Sequence, residues 1–235
     1  LIIIAKGVCI EKNELRECCI SAEQIHCGIW CHNSQDCLIQ YNRVSNSPHG
    51  YAYGSNINCS NTQIQHNISQ NNGLGFIHLC TDGAGRFNEH ICICNNVSFN
   101  DQLLLFHFLG ELQDIQILNN TFYTSTRYFI GVFVIQMWTN CRIDLKNNLF
   151  YCEENEIEDI YVDKCPYNIN SLRFAKFSYF NNVFYHYLRV PAMKKKNVCL
   201  HDSLFHEKIK NEQELLSAVH ALLPETGAQF PAEVN

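Results

Sequence analysis

One short pattern recurs along this chain: an apolar–polar alternating stretch, an asparagine, then a second alternating stretch. VCIEKNEL, LIQYNRVS, QIQHNISQ, CICNNVSF, IQILNNTFY, IDLKNNLFY and FSYFNNVFY all carry it. Taking Asn13, Asn42, Asn67, Asn96, Asn120, Asn148 and Asn182 as register marks, subtraction gives steps of 29, 25, 29, 24, 28 and 34 residues. A repeat of that length, rich in β-formers and poor in helix, means a solenoid whose coils stack one on the next.

Backbone chemistry gives a reason for the asparagine. A sharp corner between two strands needs a residue near the left-handed region, which Asn tolerates better than most residues. Stacked corners let the amides hydrogen-bond up and down the pile as a ladder, satisfying buried polar groups that would otherwise cost about 1–3 kcal/mol each.

The run CLIQYNRVSNSPHG followed by NTQIQHNISQNNGLGFIHLC resembles the right-handed parallel β-helix proteins of the pectate-lyase-like superfamily, over about residues 5–205. The resemblance implies an all-β, right-handed parallel β-helix of about seven coils. It also implies an extracellular or periplasmic location and a carbohydrate groove on one exposed sheet. It does not fix an activity, because this superfold hosts lyases, hydrolases, epimerases, adhesins and tailspikes. Similar bacterial proteins often open a strand with an Asp-Gly pair followed by another acid. Here the corresponding stretch HGYAYG holds His49, Gly50 and Gly54, which removes acids from that region.

Composition agrees with a narrow continuous core: of 235 residues, 46% are apolar and only 17% charged. A net charge of −6 argues against nucleic acid or an anionic membrane surface as partner. It would also repel a polyanionic substrate such as polygalacturonate unless calcium bridged the two, although no clear calcium motif is present. No run of eighteen apolar residues exists to span a membrane. The opening LIIIAKGVCI is too short and too quickly polar for a signal peptide. It reads as a strand of a coil whose neighbour lies upstream, so an upstream domain of the same chain is expected.

After each corner comes a strand leading into the next coil: GIWCH, GYAYG, GFIHL, LLLFHF, FIGVFVIQ, DIYVDK and VCLHD. Side chains alternate in and out along a strand. Alternation gives one outward column of His32, Tyr53, His78 and His107, continuing near Gln136 to Asp163 and His201. Beside it runs a second column of Trp30, Tyr51, Phe76, Leu105 and Tyr161. Rings interleaved with imidazoles suit a pyranose, whose C–H faces stack on aromatics while its hydroxyls bond to polar tips. The candidate substrate-binding set is therefore Trp30, His32, Tyr51, Tyr53, Phe76, His78, His107 and Tyr161. A slip of one residue would turn these columns inward, and large aromatics commonly bury most of their area.

A glycosidase needs two carboxylates, about 5–5.5 Å apart for retention or about 6.5–9.5 Å for inversion. Asp82, Asp101 and Asp163 are the candidate catalytic acids, with Glu89, Glu111 and Asp114 nearby in sequence. Lyase chemistry asks for a calcium cluster and a basic residue, and only Arg86, close to Asp82, answers to that. No cofactor is expected.

Fourteen cysteines fall largely at strand positions and suit buried thiols. Cys27 and Cys31 with His26 and His32 lack the second pair a tetrahedral zinc site requires, so no metal site is expected. The Asn-x-Ser/Thr sequons at Asn58, Asn67, Asn96 and Asn119 overlap the ladder, which explains them more simply than glycans do.

The solenoid is assigned to residues 1–208, and residues 209–235 to a helix and tail. In NEQELLSAVHALL, residues Leu215, Leu216, Val219, Leu222 and Leu223 form one helical stripe. Asn211 and Glu214 start it as a capping box, and Pro224 and Gly227 end it. Such a helix is expected to cover the open C-terminal end of the core. LPETG in the tail resembles a sortase signal but lacks the hydrophobic segment and basic tail that should follow.

The expectation is a polysaccharide-directed β-helix acting as a glycoside hydrolase on an extracellular glycan. The alternatives are a noncatalytic glycan-binding module and a structural or adhesin solenoid. Paired carboxylates across the groove would select the hydrolase, exposed aromatics without such a pair the glycan-binding module, and a buried sheet the structural solenoid.

Overall fold

The computed structural model describes residues 2–3, 5–23, 25–81, 85–154, 157–159, 172–189, 198–200 and 209–222. Every strand pairing in it is parallel. The first sheet stacks Ile2–Ile3, His26–His32, Gly50–Asn56, Gly75–Cys80, the start of Leu103–Leu118, and Phe129–Met137. The second stacks Cys9–Glu11, Leu38–Gln40, Ser60–Gln65, Phe87–Cys94, the end of Leu103–Leu118, Cys141–Lys146 and Ala175–Phe180. The third runs from Glu14–Arg16 through Arg43–Ser45, Ile68–Gln70, Val97–Phe99, Thr121–Thr124, Leu149–Cys152 and Val183–Tyr185 to Val198–Leu200. The chain is a parallel β-solenoid.

All seven register asparagines form one ladder along the corner between the second and third sheets. Each rung gives its main-chain N–H and its side-chain amide to Oδ1 of the next: Asn42 to Asn67, Asn67 to Asn96, Asn96 to Asn120, Asn120 to Asn148, and Asn148 to Asn182. The second amide hydrogen reaches a carbonyl of the coil before, as Asn96 does to Ile64 at 2.8 Å. The rungs from Asn42 to Asn182 are buried.

The left-handed residue, however, is not the ladder asparagine. Positive φ falls on the residue before each one: Lys12, Tyr41, His66, Asn95, Asn119, Asn147 and Asn181. The turn and the ladder are therefore neighbouring duties held by two residues. Along Asn119, Asn147 and Asn181 a second, outer ladder forms: Asn147 donates to Asn119 at 3.0 Å and Asn181 to Asn147 at 2.9 Å.

Inside, aromatic rings stack at strand spacing. Phe122, Phe150 and Phe184 lie 4.9 and 4.8 Å apart, centroid to centroid. Each such ring contributes about 2–3 kcal/mol of apolar burial. Outside the third sheet a parallel pile of Phe99, Tyr123, Tyr151 and Tyr185 stacks at 5.1, 5.5 and 4.3 Å.

The helix Glu212–Leu222 covers that pile. Leu215 and Val219 are buried against it, with Leu216 partly so. Its start is the expected cap, Asn211 Oδ1 accepting the N–H groups of Gln213 and Glu214 at 3.1 and 2.9 Å. Its place differs from the expectation. The apolar stripe lies along the flank of the third sheet, where tyrosines face outward and need cover, and Glu212 pairs with Arg43 far down the solenoid.

Candidate functional site

The outward face of the first sheet carries the imidazole and aromatic columns. Register places Trp30, Gly54, His78, His107 and Val134 in one row, and His32, Asn56, Cys80, Leu109 and Gln136 in another. Tyr51 stacks on His78 with centroids 5.2 Å apart and planes 16° from parallel. His78 lies 4.7 Å from His107 and 6.3 Å from Trp30, whose other side meets His26 at 6.0 Å. His107 Nε2 and Gln136 Oε1 are 3.0 Å apart.

The candidates thus divide. Trp30, Tyr51, His78 and His107 are brought together on one face. His32 stands in the adjoining row with Asn56. Tyr53 and Phe76 are turned into the core, each at 0% exposure. Strict alternation fails because two consecutive residues face inward at Ala52–Tyr53, Phe76–Ile77 and Leu105–Phe106, all in the main core cluster. Tyr53 accordingly pairs in register with Ile29 and Ile77, and its hydroxyl lies within reach of the Asn42 and Ile68 carbonyls at 3.0 and 2.8 Å. Tyr161, Asp82 and Asp163 lie outside the described residues.

The outward cluster is enclosed. Tyr51 and His78 are each 2% exposed and His107 8%, while Trp30, His26 and His32 are half-buried. Burial holds the His78 imidazole well below its ordinary proton affinity, with His107 beside it adding to the effect. His107 is lowered too, by burial, against the opposing bond from Gln136. Both are neutral rings at neutral pH. Two ring nitrogens in the cluster, Trp30 Nε1 and His78 Nδ1, are buried with no hydrogen-bond partner.

Asp101 sits in the interior at 1% exposure. Its Oδ1 accepts both the main-chain and the side-chain N–H of Asn72, at 2.9 and 3.0 Å, and its Oδ2 accepts the hydroxyls of Ser98, at 2.7 Å, and Ser69. Asn72 Oδ1 in turn accepts the Ser47 N–H at 3.1 Å. Ser47, Asn72 and Asp101 are a second ladder at the next corner, behind left-handed Asn46, Asn71 and Asn100. The signal was present in the doublets Asn46-Ser47, Asn71-Asn72 and Asn100-Asp101, which repeat at the coil period. Burial raises the Asp101 carboxyl above its usual range, and the four hydrogen bonds oppose that shift.

Of the remaining acids, Glu111 is buried near the end of the first sheet, where its Oε1 accepts the Gly85 N–H at 3.3 Å. Asp114 lies 3.4 Å from His90 on the surface. Among the described residues neither faces another carboxylate across the imidazole cluster. Among the described residues no group of three or more His, Cys, Asp or Glu is placed to hold a metal. The cluster offers flat apolar rings and neutral nitrogen donors and acceptors, a surface suited to packing or to a hydroxylated ring, without a described acid–base pair. The chain matches no protein-family model and no curated protein.

Proposed function

We propose that this chain is a noncatalytic structural solenoid of the pectate-lyase-like type, a rigid rod that holds its two ends and its surfaces at fixed spacing. The near-complete enclosure of Tyr51, His78 and His107 carries this reading. A sheet that binds a polysaccharide along its length presents open rings, whereas these rings pack against one another as a second layer of core. The locked Asp101 carboxylate supports the same reading, and the asparagine ladder with all-parallel pairing supports the likeness to the superfamily. The glycosidase reading rests on Asp82 and Asp163, which lie outside the described residues.

A glycan-binding role is the second reading, favoured by one observation. Trp30 Nε1 and His78 Nδ1 are unpartnered on the same face, and a sugar hydroxyl is the kind of group that would satisfy them.

Tyr51→Ala and His78→Ala, each measured for thermal stability and for binding in affinity electrophoresis against a polysaccharide panel, separate the two. The structural role expects a loss of about 2–5 kcal/mol in each variant and no glycan retarding the parent chain. Binding by the parent that disappears while stability holds would establish the glycan role instead. Release of reducing ends or unsaturated uronates by the parent would overturn the noncatalytic reading.

A further inference from the structure

Phe87–Cys94 is a central strand of the second sheet, paired on one side with Ser60–Gln65 and on the other with Leu103–Leu118. Ile91 and Ile93 point into the core at 0% exposure, which directs Cys92 and Cys94 outward, each half-buried. The two thiols therefore stand two residues apart on one outward face of the strand. Gln63 and Gln116 flank Cys92 in register, and Gln65 Oε1 lies 3.7 Å from the Cys94 sulfur.

Geometry disfavours a disulfide here. Residues two apart on a strand are separated by about 6.6 Å at Cα, at the outer limit of the roughly 4.4–6.8 Å a disulfide spans. Straightening the strand's ladder to close the gap would break pairing on both sides. Two metal–thiolate bonds of about 2.3 Å reach further, letting the sulfurs stand up to about 4.6 Å apart. No third ligand of the His, Cys, Asp or Glu type completes a cluster among the described residues, so ions that demand tetrahedral or octahedral shells are poorly served. Soft thiolates with coordination number two are what Cu(I) accepts.

We propose that Cys92 and Cys94 form a two-thiolate site for a soft monovalent ion, Cu(I), on the outer face of the second sheet. Binding replaces both S–H protons: one Cu(I) and two thiols give a bis-thiolate complex of single negative charge and two protons. The rigid strand holds the sulfurs side by side before the ion arrives, so little ordering entropy is lost on binding.

The test is an anaerobic titration of the reduced chain with Cu(I) against bicinchoninate as competing chelator. One tight equivalent is expected, lost in Cys92→Ser and in Cys94→Ser and kept in Cys9→Ser and in the Cys18→Ser, Cys19→Ser double variant. On the unmodified chain, one equivalent of Cu(I) should protect Cys92 and Cys94 from iodoacetamide, read by peptide mass spectrometry. Stoichiometry unchanged in both single variants, or protection confined to other cysteines, would overturn the site.

Discussion

Asn67 gives both its main-chain N–H and its side-chain amide to a single oxygen, Oδ1 of Asn96, at 2.9 and 3.0 Å. Asn96 does the same toward Asn120, so each interior rung is donor to one neighbour and acceptor from the other. Asn96→Ala would orphan the two N–H groups of Asn67 in a dry corner, a cost of roughly 2–5 kcal/mol. Asn13→Ala removes an exposed first rung and should cost under about 1 kcal/mol. Denaturant midpoints for the two variants check this, and equal losses would mean that burial does not set the ladder's energy.

Asp101 distinguishes charge from hydrogen bonding. Its folded-state carboxyl binds its proton more tightly than an ordinary one near 3.8, so the unfolded chain ionises first. Stability contributed through this group is full below pH about 4 and falls as pH rises through the folded-state value. Asp101→Asn keeps an oxygen for Asn72, removes the buried charge, and should flatten that fall without loss at neutral pH. Asp101→Ala, which strands Asn72, Ser69 and Ser98, should cost about 3–5 kcal/mol. Melting temperatures from pH 3.5 to 7 report both.

The imidazoles behave in the opposite sense. His78 and His107 are held below the ordinary value of 6.5, so their contribution is complete above that pH and is lost as pH falls beneath it. The slope approaches about 1.4 kcal/mol per pH unit for each ring. His78→Phe preserves the stack on Tyr51 and should remove its share of the acid sensitivity. Parallel pH titrations of unfolding in the parent and the variant would show it, and identical slopes would remove His78 from the account.

Gly54 has no side chain in the row that joins Trp30 to His78. A Cβ there would stand 2.3 Å from the His78 carbonyl oxygen and 2.7 Å from the Cys27 sulfur. The first obstacle is backbone held in a sheet and cannot step aside. Gly54→Ala should destabilise by roughly 1–3 kcal/mol, while Gly7→Ala, with no atom near its added Cβ, should suffer only its positive φ. Thermal shift of both variants is sufficient to rank them.

The solenoid and its main ladder were legible because the asparagines repeat in sequence at the spacing at which they meet in space. The cap at Asn211 and Glu214 was legible for a related reason, since capping is decided within four residues. What misled was strict two-residue periodicity. Tyr53 follows Ala52 and Phe76 precedes Ile77, each pair facing inward together, and a two-residue count cannot see such a break in the alternation. Asp101 looked like an available acid because sequence does not display Ser69 and Asn72, brought onto it from the coil before. The helix was visible as a helix, but its docking surface depended on Tyr123, Tyr151 and Tyr185 facing out, a property of register rather than of composition.

A pile of coils that touch only their neighbours melts like a zipper, opening from whichever end is weakest and losing its units one at a time. The helix Glu212–Leu222 changes that arithmetic. Through Glu212 it holds Arg43, 169 positions earlier in the chain, and through Leu215 and Val219 it rests on tyrosines contributed by several coils further along. It acts as a splint across the joints. Coils it bridges cannot peel away singly, so the middle of the rod should exchange its amide hydrogens as one block, and the length over which the protein unfolds together is set by eleven residues of helix.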